Sequence, residues 1–455
     1  MRETIAGALP AALRSRFENL NPHHFAIAKG TSVVAIFLLI SALMGALKEV
    51  AVAWRYGISE TVDAYLFLFS VNQWPVSIVA GVLGASLVPL VAQIRQESPQ
   101  ALPLFRAQLL GQVLVIAVLL SLLSWVSLPW LVSQPYLNFT TEVQTLAAGM
   151  VAPLSATLGL GIIAALLATW MMAGERHLNS LFQGAPALVI LVSLLLFSEG
   201  PAPLIWGTVA GFALQVVLLW FPLRTRREAE KPSLRFTSPY WKPLLAGVAV
   251  LFVGQAFMSL VNLADQFFAA GMGTGALSTL GYSNRMLNLV LGIGATAVGR
   301  ATLPIFSRSE AETPELTIYL TLRWSALMFV VGLLVAGVTA LFAGDITELL
   351  FERGEFNAED TAIVTAVFQS ALIQAPLYFC SMVMVSALLA KSKFSYVAAI
   401  GAILFLTKLL LAYQLAPVME LRGLMIATAG VYAVSCILCW LALLKTRYKR
   451  DDGTR

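Results

Sequence analysis

Long runs of apolar residues recur along this sequence and constrain its fold more than any other feature. A helix needs about 20 mostly apolar residues to cross a bilayer. Twelve segments meet this requirement, and we number them as spans 1 to 12. They lie at residues 30–56, 62–92, 105–132, 143–172, 179–198, 202–222, 241–269, 277–305, 317–343, 361–389, 394–414 and 422–445. Because the strand-like alternation of a membrane β-barrel is missing, the sequence predicts an all-α polytopic membrane protein.

The composition excludes an ordinary soluble domain. Hydrophobic residues make up 59% of the chain and charged residues only 12%, whereas soluble domains carry about 25% charged residues. The net charge is +5. In a membrane protein such an excess reflects basic cytoplasmic loops rather than nucleic-acid binding.

The loop charges predict the orientation of the spans. Lys and Arg gather in the connection 223–240, in the tail 446–455 and in the other connections on the same side of the membrane. The opposite connections 133–142, 198–203 and 270–276 contain neither residue type. By the positive-inside rule both termini are cytoplasmic, an N-in/C-in topology, and the opposite side is periplasmic. We call these the inner and outer sides.

The same basic connection divides the chain into two halves. We predict an N-lobe at 30–222 (spans 1–6), a linker at 223–240 and a C-lobe at 241–445 (spans 7–12), between a cytoplasmic segment 1–29 and a tail 446–455.

A weak internal repeat supports this division. An offset of 215 residues aligns Gly84 with Gly299 and Pro89 with Pro304, at the ends of spans 2 and 8, where Glu97 and Glu312 follow in polar exits. Since each half has an even number of spans, the repeats run parallel, and transporters built in this way place their site between the halves.

Ionisable residues within the spans are candidates for that site, because charges inside a bilayer normally face a cavity or each other. Lys48 and Glu49 are neighbours in span 1, and Arg285 in span 8 is flanked by Asn284 and Asn288. Neighbours on a helix point about 100° apart, so we expect Lys48 and Glu49 to have separate partners. Lys48 and Arg285, with the two asparagines, are predicted to face substrate; structural ion pairs are the alternative.

Three further charges have two interpretations each. Asp265 in span 7 and Lys408 in span 11 lie at similar depth, so they form either an internal salt bridge or part of the transport site. Asp63, at the start of span 2, is either a gating residue or an acid favoured by the dipole of its own helix.

Other chemistries have little support. The sequence contains no P-loop and no nucleophile with a base, and the C-x-x-C at Cys436 and Cys439 lies in an apolar run without a second pair. We therefore expect no enzyme activity, catalytic residue, metal or cofactor. Lys and Arg hold phosphate in low-dielectric sites, which favours an amphiphile with a phosphate head as substrate.

Three stretches of the sequence resemble the MurJ (MviN-like) lipid flippases of the MOP superfamily. They are "SALMGALKEVAVAWRYGISETVDAYLFLFSVNQ" with "GASLVPLVAQ" in spans 1 and 2, "LGYSNRMLNLVLGIGATAVGRATLPIFSR" in span 8, and "LLFERGEFNAEDTAIVTAVFQ" entering span 10. The resemblance covers roughly residues 30–445 and is diffuse outside these motifs.

The resemblance implies a V-shaped bundle of two six-helix lobes. It would move a polyprenyl-diphosphate-linked saccharide across the bacterial inner membrane by alternating access, with a possible Na⁺ or H⁺ coupling ion. Some members are thought to bind a cation at an acid on span 7. Asp265 would correspond to that acid, and Lys408 would replace the bound cation.

The resemblance also implies roles for five residues. Lys48 and Arg285 would hold the diphosphate. Glu49 and Asp63, together with Asp265, would pair with cations in the empty state or gate the outer side.

The chain also departs from the pattern of MurJ proper. Ala42 stands where that pattern has an arginine in span 1, and Val76 and Ser77 stand where it has an arginine doublet in span 2. Two further C-terminal spans of the pattern have no counterpart here. These departures favour an exopolysaccharide or O-antigen-type precursor over lipid II.

Three other functions remain as alternatives. A drug or small-solute antiporter would share the two-lobe plan, but a cation exporter should have more acids than bases in its cavity. A membrane glycosyltransferase or polymerase typically has a large outer loop, whereas the longest here, at 343–360, is short. A scaffold would have little use for charges inside its spans.

Overall fold

The computed structural model describes residues 22–174, 178–197, 200–226, 228–292, 306, 314–391 and 394–451, and nearly all of them are helical. The helices give the spans their bounds. Spans 1 to 4 are Pro22–Tyr56, Glu60–Glu97, Leu102–Val132 and Thr141–Ala173; span 5 is Leu178–Phe182 with Ala185–Leu196; span 6 is Ala202–Thr225; span 7 is Trp241–Ala270; span 8 begins at residue 276 and is described to 292; span 9 is Pro314–Leu341; span 10 is Ala358–Leu372 with Gln374–Ala390; spans 11 and 12 lie within Phe394–Asp451.

Eleven of the twelve predicted spans are confirmed within the described residues, and the described part of span 8 is helical. Within the described ranges, ten helices are long and apolar enough to cross a membrane. One of them contains both span 11 and span 12. The two spans are separated by a kink at Glu420, which has a φ of 50° and a ψ of −133°. Span 8 is the remaining one, and its repeat partners Gly299, Pro304 and Glu312 lie outside the described residues. The chain is a multi-pass, all-α membrane protein.

Two spans that the hydropathy pattern predicts as continuous are broken. Span 5 is interrupted at Gly184, where a Cβ would lie 3.0 Å from the Cα of Ser41 in span 1, so glycine permits the two helices to approach closely. Span 10 is interrupted at Ile373, just ahead of Pro376, whose missing N–H and bulky ring disfavour an uninterrupted helix.

The outer connection 343–360 was expected to be a loop and contains a helix, Ala343–Phe351. Ala343, Thr347 and Phe351, spaced one turn apart, are its buried residues. This spacing gives the helix one apolar face that packs onto the bundle.

Small residues hold the N-lobe together around span 4, which contacts spans 2, 3 and 6. At Gly161 a Cβ would lie 2.8 Å from a methyl group of Val76 in span 2, and at Gly159 it would lie 2.6 Å from the Ser121 hydroxyl in span 3. Close approach of helices at small residues is the usual way in which membrane helices pack.

Spans 2 and 7 join the lobes along their lengths. Near the outer side the rings of Phe67 and Phe267 meet edge to face, with centroids 5.4 Å apart. Further in, Gly81 faces Gln255 and Ser86 faces Gly247.

The linker between the lobes is packed against the inner end of span 3. Gln108 of span 3 accepts hydrogen bonds from the backbone N–H groups of Thr237 and Ser238 and from the Trp241 indole. Arg106, two residues earlier, forms an ion pair with Glu228 at 3.4 Å. The start of span 7 is thereby fixed to the N-lobe.

The outer ends of spans 1 and 8 meet the turn before span 10. The Tyr282 hydroxyl donates to the Gly57 carbonyl at 2.9 Å, and the Glu355 N–H donates to the Trp54 carbonyl at 2.9 Å. Gly354 has a φ of +62°, and a Cβ there would collide with that Trp54 carbonyl. Glycine is therefore needed for the turn to approach span 1.

Candidate functional site

Three charged side chains converge where the lobes meet. The ammonium of Lys48 and the guanidinium of Arg285 both contact the same oxygen of Glu49, at 2.6 and 2.8 Å. Span 1 supplies the carboxylate and one cation, and span 8 supplies the other cation. The structure thus brings together three of the residues that the sequence singled out.

The expectation that Lys48 and Glu49 would have separate partners was wrong. The two side chains leave the helix about 100° apart, but the lysine stem is long and flexible enough to curl around the helix and reach its neighbour. Glu49 in addition takes the partner that was expected, Arg285.

The arrangement leaves an excess of positive charge next to a cavity. Lys48 and Glu49 are almost fully buried, whereas the Arg285 side chain is 45% exposed. One carboxylate cannot neutralise two cations, and in a low-dielectric site the uncompensated charge attracts an anion strongly. An anion with several oxygens can accept hydrogen bonds from both cations at once.

Asp63, in the first turn of span 2, also binds the beginning of span 8. Its Oδ2 accepts from the backbone N–H of Gly275 at 2.5 Å, and its Oδ1 accepts from the N–H and the hydroxyl of Ser278 at 2.7 and 2.6 Å. Ser278 lies in the first turn of span 8 and Gly275 immediately precedes that turn, where backbone N–H groups lack intrahelical partners. A carboxylate from the N-lobe therefore caps a helix of the C-lobe and ties the outer ends of spans 2 and 8 together.

Asp265 and Lys408 form a buried ion pair within the C-lobe. Lys408 is 0% exposed, and its ammonium contacts Asp265 Oδ1 at 2.6 Å. It also donates to the Leu424 carbonyl at 3.0 Å and to the Thr428 hydroxyl at 2.5 Å. The ammonium thus contacts three oxygens, one from span 7 and two from span 12.

Two cavities lie on either side of Arg285. The first, which we call the N-lobe cavity, has a volume of about 540 Å³ and lies between spans 1, 2, 5, 6 and 8, with Ala46, Ala187, Ile190 and Phe212 among its apolar lining. Lys48, Glu49, Arg285 and Asn288 also line it.

The second, which we call the C-lobe cavity, has a volume of about 470 Å³. It is lined by spans 2, 7, 8, 10 and 12 and includes Asn284, Arg285, Asn288 and Asp265. Arg285 and Asn288 are therefore shared between the two cavities, and Asn284 faces only the second.

The sequence interpretation missed several polar residues of the C-lobe cavity. They are Asn262, Gln266, Gln374, Tyr378 and Tyr432. A signal was present: Asn262 and Gln266, like Gln374 and Tyr378, are four residues apart within apolar spans. This spacing places each pair on one face of a helix.

Uncharged side chains occupy the three positions at which the resemblance implies arginines. Ala42 lines the N-lobe cavity, Val76 packs against Gly161, and the Ser77 hydroxyl donates to the Trp74 carbonyl of its own helix. None of the three offers a charge to a ligand. Among the described residues, no group of three or more His, Cys, Asp or Glu side chains is placed to hold a metal ion.

Comparison with known sequences assigns the chain to a family. A sequence model of the family described as "Lipid II flippase MurJ" matches residues 52–453. The chain belongs to the MurJ lipid II flippase family. The name of this family denotes a transporter of lipid, not an enzyme.

Curated relatives of the MurJ family are distant and longer. Probable lipid II flippases MurJ of Bdellovibrio bacteriovorus and Rhizobium meliloti are 26% and 25% identical to the chain, over 60% and 74% of its length. The match covers 53% and 66% of those two relatives, so the chain spans roughly half to two thirds of their length.

Solved structures share the fold of the MOP superfamily. A lipid II flippase MurJ in an inward closed conformation matches with a TM-score of 0.74 at 16% identity, covering 90% of this chain and 87% of that one. An inward-facing multidrug MATE transporter matches with a TM-score of 0.75 at 15% identity, covering 92% and 99%. At such identities the likeness establishes the two-lobe fold.

Replacement of Lys408 by methionine should destabilise the protein. The Asp265 carboxylate would remain buried without a partner, which costs about 3–5 kcal/mol when one member of a buried pair is removed. Thermal unfolding in detergent should show a clear loss of stability for Lys408→Met and a recovery in the double variant Lys408→Met with Asp265→Asn. Equal stability of the single variant and the wild type would contradict a tight ion pair.

Replacement of Asp63 by alanine should loosen the outer contact between the lobes. It removes three hydrogen bonds to the first turn of span 8 and leaves helix N–H groups uncapped, which typically costs ~1 kcal/mol. We expect a membrane-impermeant maleimide added outside to label Asn284→Cys faster in the Asp63→Ala variant than in the chain that carries Asn284→Cys with Asp63 intact. Glu142→Ala, an acid in the first turn of span 4, is the matched control and should leave labelling unchanged; equal rates in both variants would argue against the tie.

Proposed function

We propose that the protein is a flippase that moves a polyprenyl-diphosphate-linked saccharide across the bacterial inner membrane by alternating access between its two lobes. Membership of the MurJ family supports the class of substrate. The observation that carries the proposal is the shared carboxylate of Glu49, which holds one cation from each lobe beside two cavities.

Substrate binding would replace Glu49 by a diphosphate as a partner of Lys48 and Arg285. A diphosphate would accept hydrogen bonds from Lys48 and Arg285, and Glu49 would lose part of its hold on both cations. Hydrogen bonds to charged groups contribute about 1.5–3 kcal/mol each. Because Lys48 and Arg285 lie in different lobes, a ligand that binds both also favours the arrangement in which the lobes are close.

The choice of saccharide is a finer proposal. The positions at which MurJ proper has arginines are Ala42, Val76 and Ser77, and in this chain they are cavity-lining, packed or self-bonded. Fewer cations suit a head group with fewer negative charges beyond the diphosphate. We therefore favour an exopolysaccharide or O-antigen-type repeat unit over lipid II.

The outer contacts would act as the gate. Asp63 on the first turn of span 8, together with Tyr282 on Gly57, closes the outer ends of the lobes. Opening to the outside requires these bonds to break. The membrane potential can bias such a change, since one charge that crosses 100 mV is worth about 2.3 kcal/mol.

The position of Lys408 affects which ion gradient can drive transport. Its ammonium takes three oxygen partners in the C-lobe, a position that a small monovalent cation would otherwise suit. With this permanent cation in place, a Na⁺ gradient is not needed there. The membrane potential or a proton gradient would then drive the cycle.

The alternative of a drug antiporter has the support of the shared fold with MATE transporters. The charges argue against export of a cation. Glu49 is paired with two cations and Asp265 with Lys408, so neither carboxylate is free to hold a cationic drug.

Leaflet transfer of a labelled polyprenyl-diphosphate saccharide in proteoliposomes tests the proposal. Lys48→Ala and Arg285→Ala should each lower transfer by about tenfold to a hundredfold, because each loses a charged hydrogen bond of about 1.5–3 kcal/mol. Lys48→Arg and Arg285→Lys keep the charge and should retain most of the transfer.

A surface cation provides the control for this measurement. Arg323→Ala removes an exposed arginine of span 9 that donates a hydrogen bond to Tyr319 of its own helix, and it should transfer at the wild-type rate. Wild-type rates in both Lys48→Ala and Arg285→Ala would rule out the roles given to these cations.

A further inference from the structure

Five amide side chains of the C-lobe cavity have no protein partner. Asn262, Gln266, Asn284, Asn288 and Gln374 line this cavity, and among the described residues no side chain or backbone group forms a hydrogen bond with their amides. The Gln266 carbonyl oxygen is shielded from solvent and unbonded, and Gln374 is only 3% exposed. Asn262 and Asn288 are exposed to the cavity, and Asn284 is half-buried. A buried polar group without a partner costs about 1–3 kcal/mol, so Gln266 and Gln374 point to a polar ligand that the three asparagines can also reach.

The kind of polar group follows from the chemistry of the lining. An amide offers a donor and an acceptor, as a hydroxyl group does. The cavity has little charge of its own, because Asp265 is neutralised by Lys408 and Arg285 stands at its edge. Tyr378 and Tyr432, whose rings meet edge to face at 5.2 Å, add an aromatic wall. An uncharged group rich in hydroxyls, such as a sugar, fits this surface.

The N-lobe cavity has the opposite character. Most of its lining is apolar, with Ala46, Ala187, Ile190 and Phe212 as examples. A hydrocarbon chain gains about 0.8 kcal/mol for each CH₂ group that such a surface removes from water.

The order of the three regions matches the order of groups in an amphiphile. An apolar cavity, a cation that borders both cavities (Arg285), and an amide-lined cavity follow one another across the lobe interface. A lipid-linked saccharide has hydrocarbon, diphosphate and sugar in the same order. Both cavities fall within the volume range of about 300–1,000 Å³ that is usual for ligand sites.

We propose that the C-lobe cavity binds the saccharide of the substrate and that the N-lobe cavity holds the beginning of its hydrocarbon chain. This inference rests on the proposed function and assigns the saccharide and the hydrocarbon chain of the substrate to different cavities. It also predicts selectivity for uncharged sugars next to the diphosphate, since Asn262, Gln266 and Gln374 provide hydrogen bonds without charge.

One lipid substrate that carries the sugar and one that lacks it allow the saccharide site to be tested separately from the proposed function. In proteoliposomes, Gln374→Leu and Asn262→Leu should slow transfer of the polyprenyl-diphosphate saccharide about tenfold, as expected for about 1.4 kcal/mol. The same variants should transfer sugar-free polyprenyl diphosphate at the wild-type rate. Gln369→Leu is the matched control in span 10, because its amide bonds to the Ala340 carbonyl outside the cavity; it should affect neither substrate.

A second pair of variants tests the hydrocarbon side. Ala187→Phe fills the N-lobe cavity and should slow both lipid substrates, whereas binding of a water-soluble sugar diphosphate to the purified protein should be unchanged. Leu188→Phe, at the exposed neighbouring position, should change neither.

The outcomes distinguish the two levels of the account. If wild-type protein transfers neither lipid, the proposed function fails. If wild-type protein transfers both but the amide variants slow both equally, or slow neither, the saccharide assignment is overturned while the function stands. If Ala187→Phe weakens binding of the soluble sugar diphosphate as much as transfer of the lipids, the hydrocarbon assignment is overturned.

Discussion

The contact on which the rest of the site depends is the one between Glu49 and its two cations. A carboxylate buried in a membrane helix is expensive unless it is paired, and here Lys48 and Arg285 share a single oxygen of it, at 2.6 and 2.8 Å. The pairing makes the charges tolerable in the bilayer and leaves one cation in excess. Since Arg285 comes from the opposite lobe, the same contact makes the distance between the lobes sensitive to any anion that competes with Glu49.

The other buried charges of the described spans are compensated in ways that also join elements. Asp63 binds the first turn of span 8, so its charge is stabilised by the N-terminus of a helix in the other lobe. Asp265 is paired with Lys408, whose remaining N–H groups bond to span 12. The first contact crosses the lobe boundary and must break when the outer side opens. The second lies within the C-lobe and can persist through the cycle.

Much of this was accessible from sequence, for identifiable reasons. Span number follows from hydropathy, and charges within spans stand out because they are rare, which identified Lys48, Glu49, Arg285, Asp265 and Lys408. Contacts between side chains and the position of the cavities could not be predicted from the sequence. The Lys48–Glu49 pair was wrongly excluded, because helix spacing ignores the reach of a lysine side chain. The amides such as Gln374 were missed, since an uncharged polar residue in a span is common enough to pass as packing until a cavity is seen beside it.

The central claim is that a diphosphate replaces Glu49 as the shared partner of Lys48 and Arg285. A structure of the protein with a bound polyprenyl-diphosphate saccharide tests it most directly. The account predicts phosphate oxygens within hydrogen-bond distance of the Lys48 ammonium and the Arg285 guanidinium, with at least one of the contacts between these cations and Glu49 lengthened. A bound lipid whose phosphates lie elsewhere, with both contacts to Glu49 intact, would contradict it.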